Sequence, residues 1–288
     1  MEEAATAYPQ QQPPPPPAKR LSPTWQVLNF ERWVQAVLIL NLTDPGDRVL
    51  ELYSSNGANL GHWKRAGVAS YTSFEPSLDT LMKSKTRWEL KKPFPANFVQ
   101  HHPLDARPYT QLVPENECYD LVACFVGLEE IFVAPNTASC FFGNVSSVLK
   151  EGGFFFGVLP DSSAIWNKVQ KQAKNDSSTK AKGSLFSISF DSEISNTNFF
   201  GIHYKLQVSG SPDQHHYLVH FPTLLALADQ HGLEMIEISN YLDIYEDQRY
   251  NYASLLKGMA VYDRKNNSIL PTQLELIGLK TNFVFKKK

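Results

Sequence analysis

Cysteine is scarce in this 288-residue chain. Cys118, Cys124 and Cys140 are its three cysteines. They form no C-x-x-C pair and leave one over, which argues against a disulfide framework. A reducing compartment, cytosol or nucleus, suits such usage. A basic excess is also missing: 27 Lys and Arg face 29 Asp and Glu, for a formal charge of −2. That balance excludes a protein that coats nucleic acid by neutralising phosphates, but not one that reads a single nucleotide or RNA end in a local pocket. No run approaches the roughly 18 uninterrupted apolar residues of a membrane span. Met1-Glu2-Glu3 also lacks the basic and apolar regions of a signal peptide. The expectation is a protein without a membrane partner.

Several chemical signatures are absent as well. There is no G-x-S-x-G elbow, no P-loop and no cysteine in a nucleophile motif, so covalent hydrolase and NTPase chemistry lack support. His101-His102 and His215-His216 suggest zinc, but neighbours on a strand point to opposite faces. Neither pair can chelate one ion, and no third ligand stands at suitable spacing. No metal is expected.

What is present reads as an ordinary globular chain, 42% hydrophobic and 19% charged. Residues 1–22 form a Gln/Pro-rich tail in which Pro13 to Pro17 suits polyproline II and has no apolar face to bury. It reads as a disordered extension or as a ligand for a proline-binding partner. Residues 23–288 then make one domain. Ser22-Pro23 marks a helix start, and Trp25, Leu28, Trp33, Val37 and Leu38 carry helical spacing to about Leu42. After a turn at 44–47, strands and helices alternate. Strands fall at 49–53, 70–75, from Phe98, at 119–124 and at 154–159; helices fall near 59–65, 77–83 and 137–149. Such alternation predicts a parallel sheet with right-handed crossovers. Lys171 to Lys182 reads as a polar loop. Strands follow at 185–190 and 204–208, then a helix at 221–231 and strands at 234–238 and 282–285.

In an open parallel sheet the ligand lies outside the carboxyl ends of the strands, at the topological switch point. The loop there reads Tyr53-Ser54-Ser55-Asn56-Gly57, with one glycine to let backbone approach a cofactor. Glu75 ends the second strand at the spacing of an acid that takes ribose hydroxyls, and equally at that of a surface acid before Pro76. Asp105 is a candidate for the adenine side or a helix cap. Glu129 and Glu130, after the fourth strand, read as a polarising pair or as solvated acids.

The ordered segments resemble the mRNA cap guanine-N7 methyltransferases. Asn29-Phe30-Glu31-Arg32-Trp33-Val34-Gln35 is similar to that family's N-F-N-N-W-x-K helix, and Val49 to Lys64 to its first strand, glycine loop and W-K helix. Residues 152–161 resemble its G-G-x-F-x-G-x-x-P-[ND] element. The segments 200–204, 217–222 and 242–247 resemble F-G-x-x-Y, x-L-V-[YH]-F-P and F-Y-[ED]-[ED]. The order spans residues 25 to 286. Pro160-Asp161-Ser162-Ser163 and Leu218-Val219-His220-Phe221-Pro222 look most like the second, divergent plant form.

The resemblance implies a Rossmann-like class I AdoMet-dependent methyltransferase, an α/β fold with a seven-stranded mixed sheet. It implies S-adenosyl-L-methionine (AdoMet) as cofactor, the capped 5′ end of mRNA as partner and a nuclear location. Cofactor positions fall at Gln35, Tyr53, Ser55, Gly57, Glu75, Asp105 and Phe125. Cap positions fall at Asn29, Phe30, Glu129, Glu130, Tyr204, His216 and Lys280.

Many of these depart from the family pattern. Gln35 stands for a lysine, Tyr53-Ser54-Ser55 for G-C-G and His102 for an adenine-side Asp. Phe125 to Glu130 stand for Q-F-x-x-H-[YF], His216 for the guanine-edge glutamate and Lys280 for a tyrosine over the cap. Tyr53 puts a ring where backbone should approach the cofactor. Catalysis by proximity needs no single catalytic side chain, so the leading expectation is a cap methyltransferase. The alternatives are a non-catalytic relative that binds a cap, an RNA end or an active paralogue, and more remotely a small-molecule methyltransferase.

Overall fold

The computed structural model describes residues 23–114, 117–173, 179–191, 199–262 and 268–288. The tail at 1–22, Ser22 as a helix cap and the polar stretch 174–178 lie outside the described residues.

The described residues open with helix α1, Pro23–Leu42. Its buried face runs Val27, Phe30, Trp33, Val34, Val37 and Leu38, while Leu28, which the spacing places with them, is 50% exposed. Strand β1 (Arg48–Leu52), helix α2 (Leu60–Ala66), strand β2 (Ser70–Glu75), helix α3 (Leu78–Glu89) and strand β3 (Ala96–Gln100) follow. The chain then returns across the sheet to strand β4 (Tyr119–Cys124), helix α4 (Pro135–Val148) and strand β5 (Leu149–Pro160). These five strands pair in parallel. Helix α3 runs beyond the expected end at residue 83, with the Ser77 hydroxyl accepting from the Thr80 amide at its start.

Past β5 the structure departs from the expected polar loop at 171–182. Helix α5 (Ser162–Ala173) covers its first residues, and strand β6 (Lys180–Lys182) its last. Ala181 is buried between two exposed lysines, a period-2 pattern too short to read from sequence. Strand β6 joins β7 (Phe186–Phe190), β8 (His203–Val208) and β9 (Gln214–Tyr217) in a four-stranded antiparallel sheet. Helix α6 (Phe221–Gln230) and strand β10 (Leu233–Asn240) come next. Three short helices, α7 (Tyr241–Gln248), α8 (Ala253–Gly258) and α9 (Pro271–Ile277), then precede strand β11 (Lys280–Lys287).

The main sheet has seven strands in the order β10-β11-β5-β4-β1-β2-β3. Strand β11 inserts between β5 and β10 and runs antiparallel to both, so the sheet is mixed. Successive residues face opposite sides, and two cores form. Val49, Leu121, Ala123, Phe156 and Val284 pack on the side of α1, α5 and the small sheet. Leu50, Val122, Cys124, Phe155, Phe283 and Phe285 pack on the side of α4 and α6. Burial of both faces explains why the parallel strands read as near-continuous apolar runs. The chain leaves β1 toward β2 and returns on its other side at β4. The crevice that such a switch opens lies at the carboxyl ends of β1 and β4.

Candidate active site

The floor of this crevice is a buried acid. Glu51, fourth in β1, is 1% exposed, and its carboxylate accepts three hydrogen bonds. Asn59 Nδ2 donates at 2.8 Å, Trp63 Nε1 at 3.0 Å and the Tyr71 hydroxyl at 2.7 Å. These bonds tie β1 to β2 and to the first turns after the loop, so the loop hangs from a fixed frame. Burial pushes the Glu51 carboxyl up to about 7, against the three donors that favour its charged form.

The loop itself keeps a glycine-type backbone with other side chains on it. Tyr53, Ser55 and Asn56 have φ of 56°, 48° and 59°, and Gly57 continues at 68°. Asparagine tolerates this region, whereas tyrosine and serine adopt it at a cost. Hydrogen bonds hold it: the Tyr53 amide donates to the Phe74 carbonyl at 2.9 Å, and the Gly57 amide to the Ser54 carbonyl at 2.8 Å.

Glu75, at the carboxyl end of β2, is 5% exposed and faces the loop. The Ser54 hydroxyl donates to it at 3.4 Å, and the backbone amides of Ser55 and Ser77 reach it. Burial raises its pKa against these donors. Ser54 and Ser84 hydroxyls lie 3.0 Å apart, which anchors the loop to α3. The sequence reading missed Ser54, Ser84 and the role of Glu51. The available signal was an acid inside an apolar strand, because a buried charge must find partners.

Tyr53 joins this group to a second one. Its ring meets His102 edge-on, with centroids 5.9 Å apart, and lies on the backbone of Gly127 in the loop after β4. A Cβ at 127 would sit 3.2 Å from the ring, and φ there is +81°. The ring occupies space that a side chain at 127 would fill. Next to Gly127, Glu129 Oε1 meets His216 Nδ1 of β9 at 2.7 Å. The Gln214 side chain faces the other His216 nitrogen at 3.4 Å, and the Tyr204 ring lies tilted against the imidazole at 5.5 Å. Glu130 is half-buried, and burial together with the neighbouring Glu129 charge raises its pKa.

The remaining candidates fall elsewhere. Asn29 donates to the Ala260 carbonyl at 3.3 Å, and Phe30 is fully buried among Trp33, Tyr241 and Tyr245. Gln35 is half-buried on α1. Lys280 pairs with Glu31 at 2.8 Å. Phe125 packs edge-on against Phe156 in the core. Asp105 is exposed and accepts from the Arg107 amide at 3.1 Å, the geometry of a turn cap. The structure therefore gathers Tyr53, Ser55, Gly57 and Glu75 with Glu129, Glu130, His216 and Tyr204. It leaves Asn29, Phe30 and Lys280 as a separate group on α1 and β11. Among the described residues no cluster of three His, Cys, Asp or Glu side chains could hold a metal.

The strand order, the acid at the end of β2 and the left-handed loop after β1 define a class I AdoMet-dependent methyltransferase. The family model for the mRNA (guanine-N(7))-methyltransferase domain matches residues 4–288, and the chain belongs to that family. It is 31% identical over 266 residues to mRNA cap guanine-N(7) methyltransferase 2 of Oryza sativa subsp. japonica, covering 88% of this chain and 78% of the relative. To the protein of that name from Arabidopsis thaliana it is 33% identical over 263 residues, covering 86% and 74%. A putative S-adenosylmethionine-dependent methyltransferase from Listeria monocytogenes shares the fold at a TM-score of 0.54 and 13% identity, covering 90% of this chain and 98% of that one.

The residues present fit the family's cofactor, S-adenosyl-L-methionine. Glu75 is a buried acid at the end of β2 that would suit ribose hydroxyls, and the buried Tyr53 hydroxyl has no hydrogen-bond partner among the described residues. Replacing Glu75 with alanine is expected to weaken AdoMet binding by about 1–3 kcal/mol, through lost charge-assisted bonds and a freed loop. Calorimetry on the variant, with folding checked by circular dichroism, tests this. An unchanged affinity in a folded variant excludes Glu75 as a cofactor ligand.

Proposed function

We propose that this chain methylates N7 of the guanosine that caps mRNA 5′ ends, in the nucleus, using Glu75 and the 53–57 loop for AdoMet and the Glu129–His216 pair for the guanine. The observation that carries the reading is the junction at Tyr53 and Gly127, which sets the cofactor loop directly against the loop that bears Glu129. Bound AdoMet supplies an electrophilic sulfonium methyl. Guanine N7 carries its own lone pair, so transfer of that methyl, with S-adenosylhomocysteine as the leaving group, would require no general base. The task of the protein is to hold the two reactants in line and exclude water.

The side chains beside the loop suit a guanine edge. A carboxylate accepts from N1–H and the 2-amino group, and Glu129 offers one that is 6% exposed and held by His216. Glu130 presents a second acid on the same turn, and the Tyr204 ring supports the imidazole from behind. Asn29 and Lys280 lie apart from this pair on the α1 side, where Lys280 pairs with Glu31. The acidic overall balance fits recognition of one RNA end rather than a long phosphate track. The proline run at 13–17, outside the described residues, suits an aromatic groove on a protein partner.

The test is methyl transfer from labelled AdoMet to RNA ending in GpppN, beside the same RNA ending in ApppN. Label is expected at N7 of the GpppN cap alone. Absence of label, with AdoMet bound by calorimetry, overturns the catalytic reading. A fluorescent fusion that stays out of the nucleus overturns the location.

A further inference from the structure

Tyr53 is held in an unfavourable way three times over. Its backbone is left-handed at φ 56°, where an aromatic residue is rarely found. The residue is 8% exposed, and its ring rests on the backbone of Gly127, where a Cβ would lie 3.2 Å from it. Its hydroxyl is buried with no hydrogen-bond partner among the described residues. Phenylalanine would fill the same volume without leaving a hydroxyl unsatisfied, so packing alone does not account for the oxygen. Strain of this kind is sustained where a ligand completes the arrangement.

The surroundings indicate the charge of that ligand. Burial pushes the phenol pKa up, and Cys124, Glu130, Glu129 and Glu75 add to it in that order, so the group stays a neutral hydroxyl. Three of those four neighbours are carboxylates. A pocket of acids around an oxygen with free lone pairs favours a cationic donor over an anion. The methionine end of AdoMet carries an ammonium donor beside a carboxylate, and the surrounding acids select the ammonium of the two; the adenosine end is neutral.

We propose that Tyr53 is a cofactor-contacting residue whose hydroxyl accepts a hydrogen bond from the α-ammonium of S-adenosyl-L-methionine. This rests on the AdoMet-binding function stated above and assigns one contact within it. The ring is therefore part of the cofactor cradle: Gly127 accommodates it on one side, and a turn of the ring on ligand binding brings the now-buried oxygen to the ammonium.

The experiment compares wild type with Y53F, which keeps the ring, by calorimetry of three ligands. AdoMet and S-adenosylhomocysteine carry the ammonium; 5′-methylthioadenosine keeps the adenosine and lacks the amino-acid end. Y53F is expected to weaken the first two about tenfold and leave the third within about twofold. Its ligand-free melting temperature is expected to hold or rise, since the variant removes an unsatisfied hydroxyl. Equal affinity of Y53F for all three ligands overturns the proposal. Equal weakening of all three overturns it too, because the contact would then lie at the adenosine end or act through the loop. Should Y53F fail to fold, Y53L carries the same comparison. Wild type that binds none of the three removes the AdoMet reading itself and this contact with it, whereas binding wild type with an unaltered Y53F removes the contact alone.

Discussion

Gly157→Ala is expected to destabilise the protein by about 4 kcal/mol or more and to leave little folded chain at 37 °C. Gly157 lies in β5 opposite Cys124 of β4, in the centre of the main sheet. A Cβ there would sit 1.7 Å from the Cys124 carbonyl oxygen and 2.6 Å from its carbon, with the Phe283 ring at 3.1 Å on the far side. Backbone offers no rotamer to escape such a contact, so the two strands must part. They cannot part locally, because β5 is also bonded to β11 along its length and β4 to β1. The loss spreads to the loop after β4, which begins one residue beyond Cys124 and carries Phe125, Gly127 and Glu129. Urea denaturation of wild type and variant gives the comparison. A variant that folds with its midpoint within about 1 kcal/mol of wild type shows that β4 and β5 do not approach this closely.

The sheet was readable from sequence because parallel strands covered on both faces are short apolar runs between helices. Residues 119–124 and 154–159 illustrate this, and both became strands near the expected positions. Strands β6 and β9 were not readable. They are three and four residues long, lie at the edges of the small sheet and carry lysines, glutamine and histidines. The short helices α7 to α9 also escaped, since each spans about two turns and gives little periodicity to count.

The candidate site divides in the same way. Glu75 could be placed because its position depends on a strand end and a spacing. The Glu129–His216 contact could not, since its partners stand 87 residues apart on a loop and on an unread strand. Tyr53 was legible only as a departure at a glycine position. That Gly127 gives its ring a seat depends on how the loops after β1 and β4 meet, which no local pattern records. Asn29, Phe30 and Lys280 came from family resemblance alone. Here their side chains are engaged with Ala260, with an aromatic cluster and with Glu31.

Stability relative to Glu51→Gln is expected to fall by up to about 3 kcal/mol as pH rises from about 4.5 to about 7, and to change little beyond. Glu51 is the reason. Its folded pKa, about 7, stands above the ordinary value of 4.5 because burial disfavours the charge more than its three donors favour it. The folded chain therefore retains a proton that the unfolded chain releases. Stability linked to that proton is fully present below about pH 4.5, declines as pH rises through the interval, and is lost above about pH 7. Burial also shifts Glu75 and Glu130 upward, toward the same range, whereas Asp120 and Glu275 are shifted downward, away from it. The difference between wild type and variant cancels them to first order, because glutamine does not ionise. Glutamine also suits the site: its oxygen can accept from Trp63 and Tyr71, and its amide can donate to a flipped Asn59. Urea midpoints for both proteins at pH 4.5, 5.5, 6.5 and 7.5 give the curve. A difference that stays flat across the series shows that the folded and unfolded pKa values of Glu51 coincide, burial and the three donors cancelling. A difference that grows in wild type's favour with pH means that the donors outweigh burial, and that the carboxylate under the cofactor loop is stabilised as an anion.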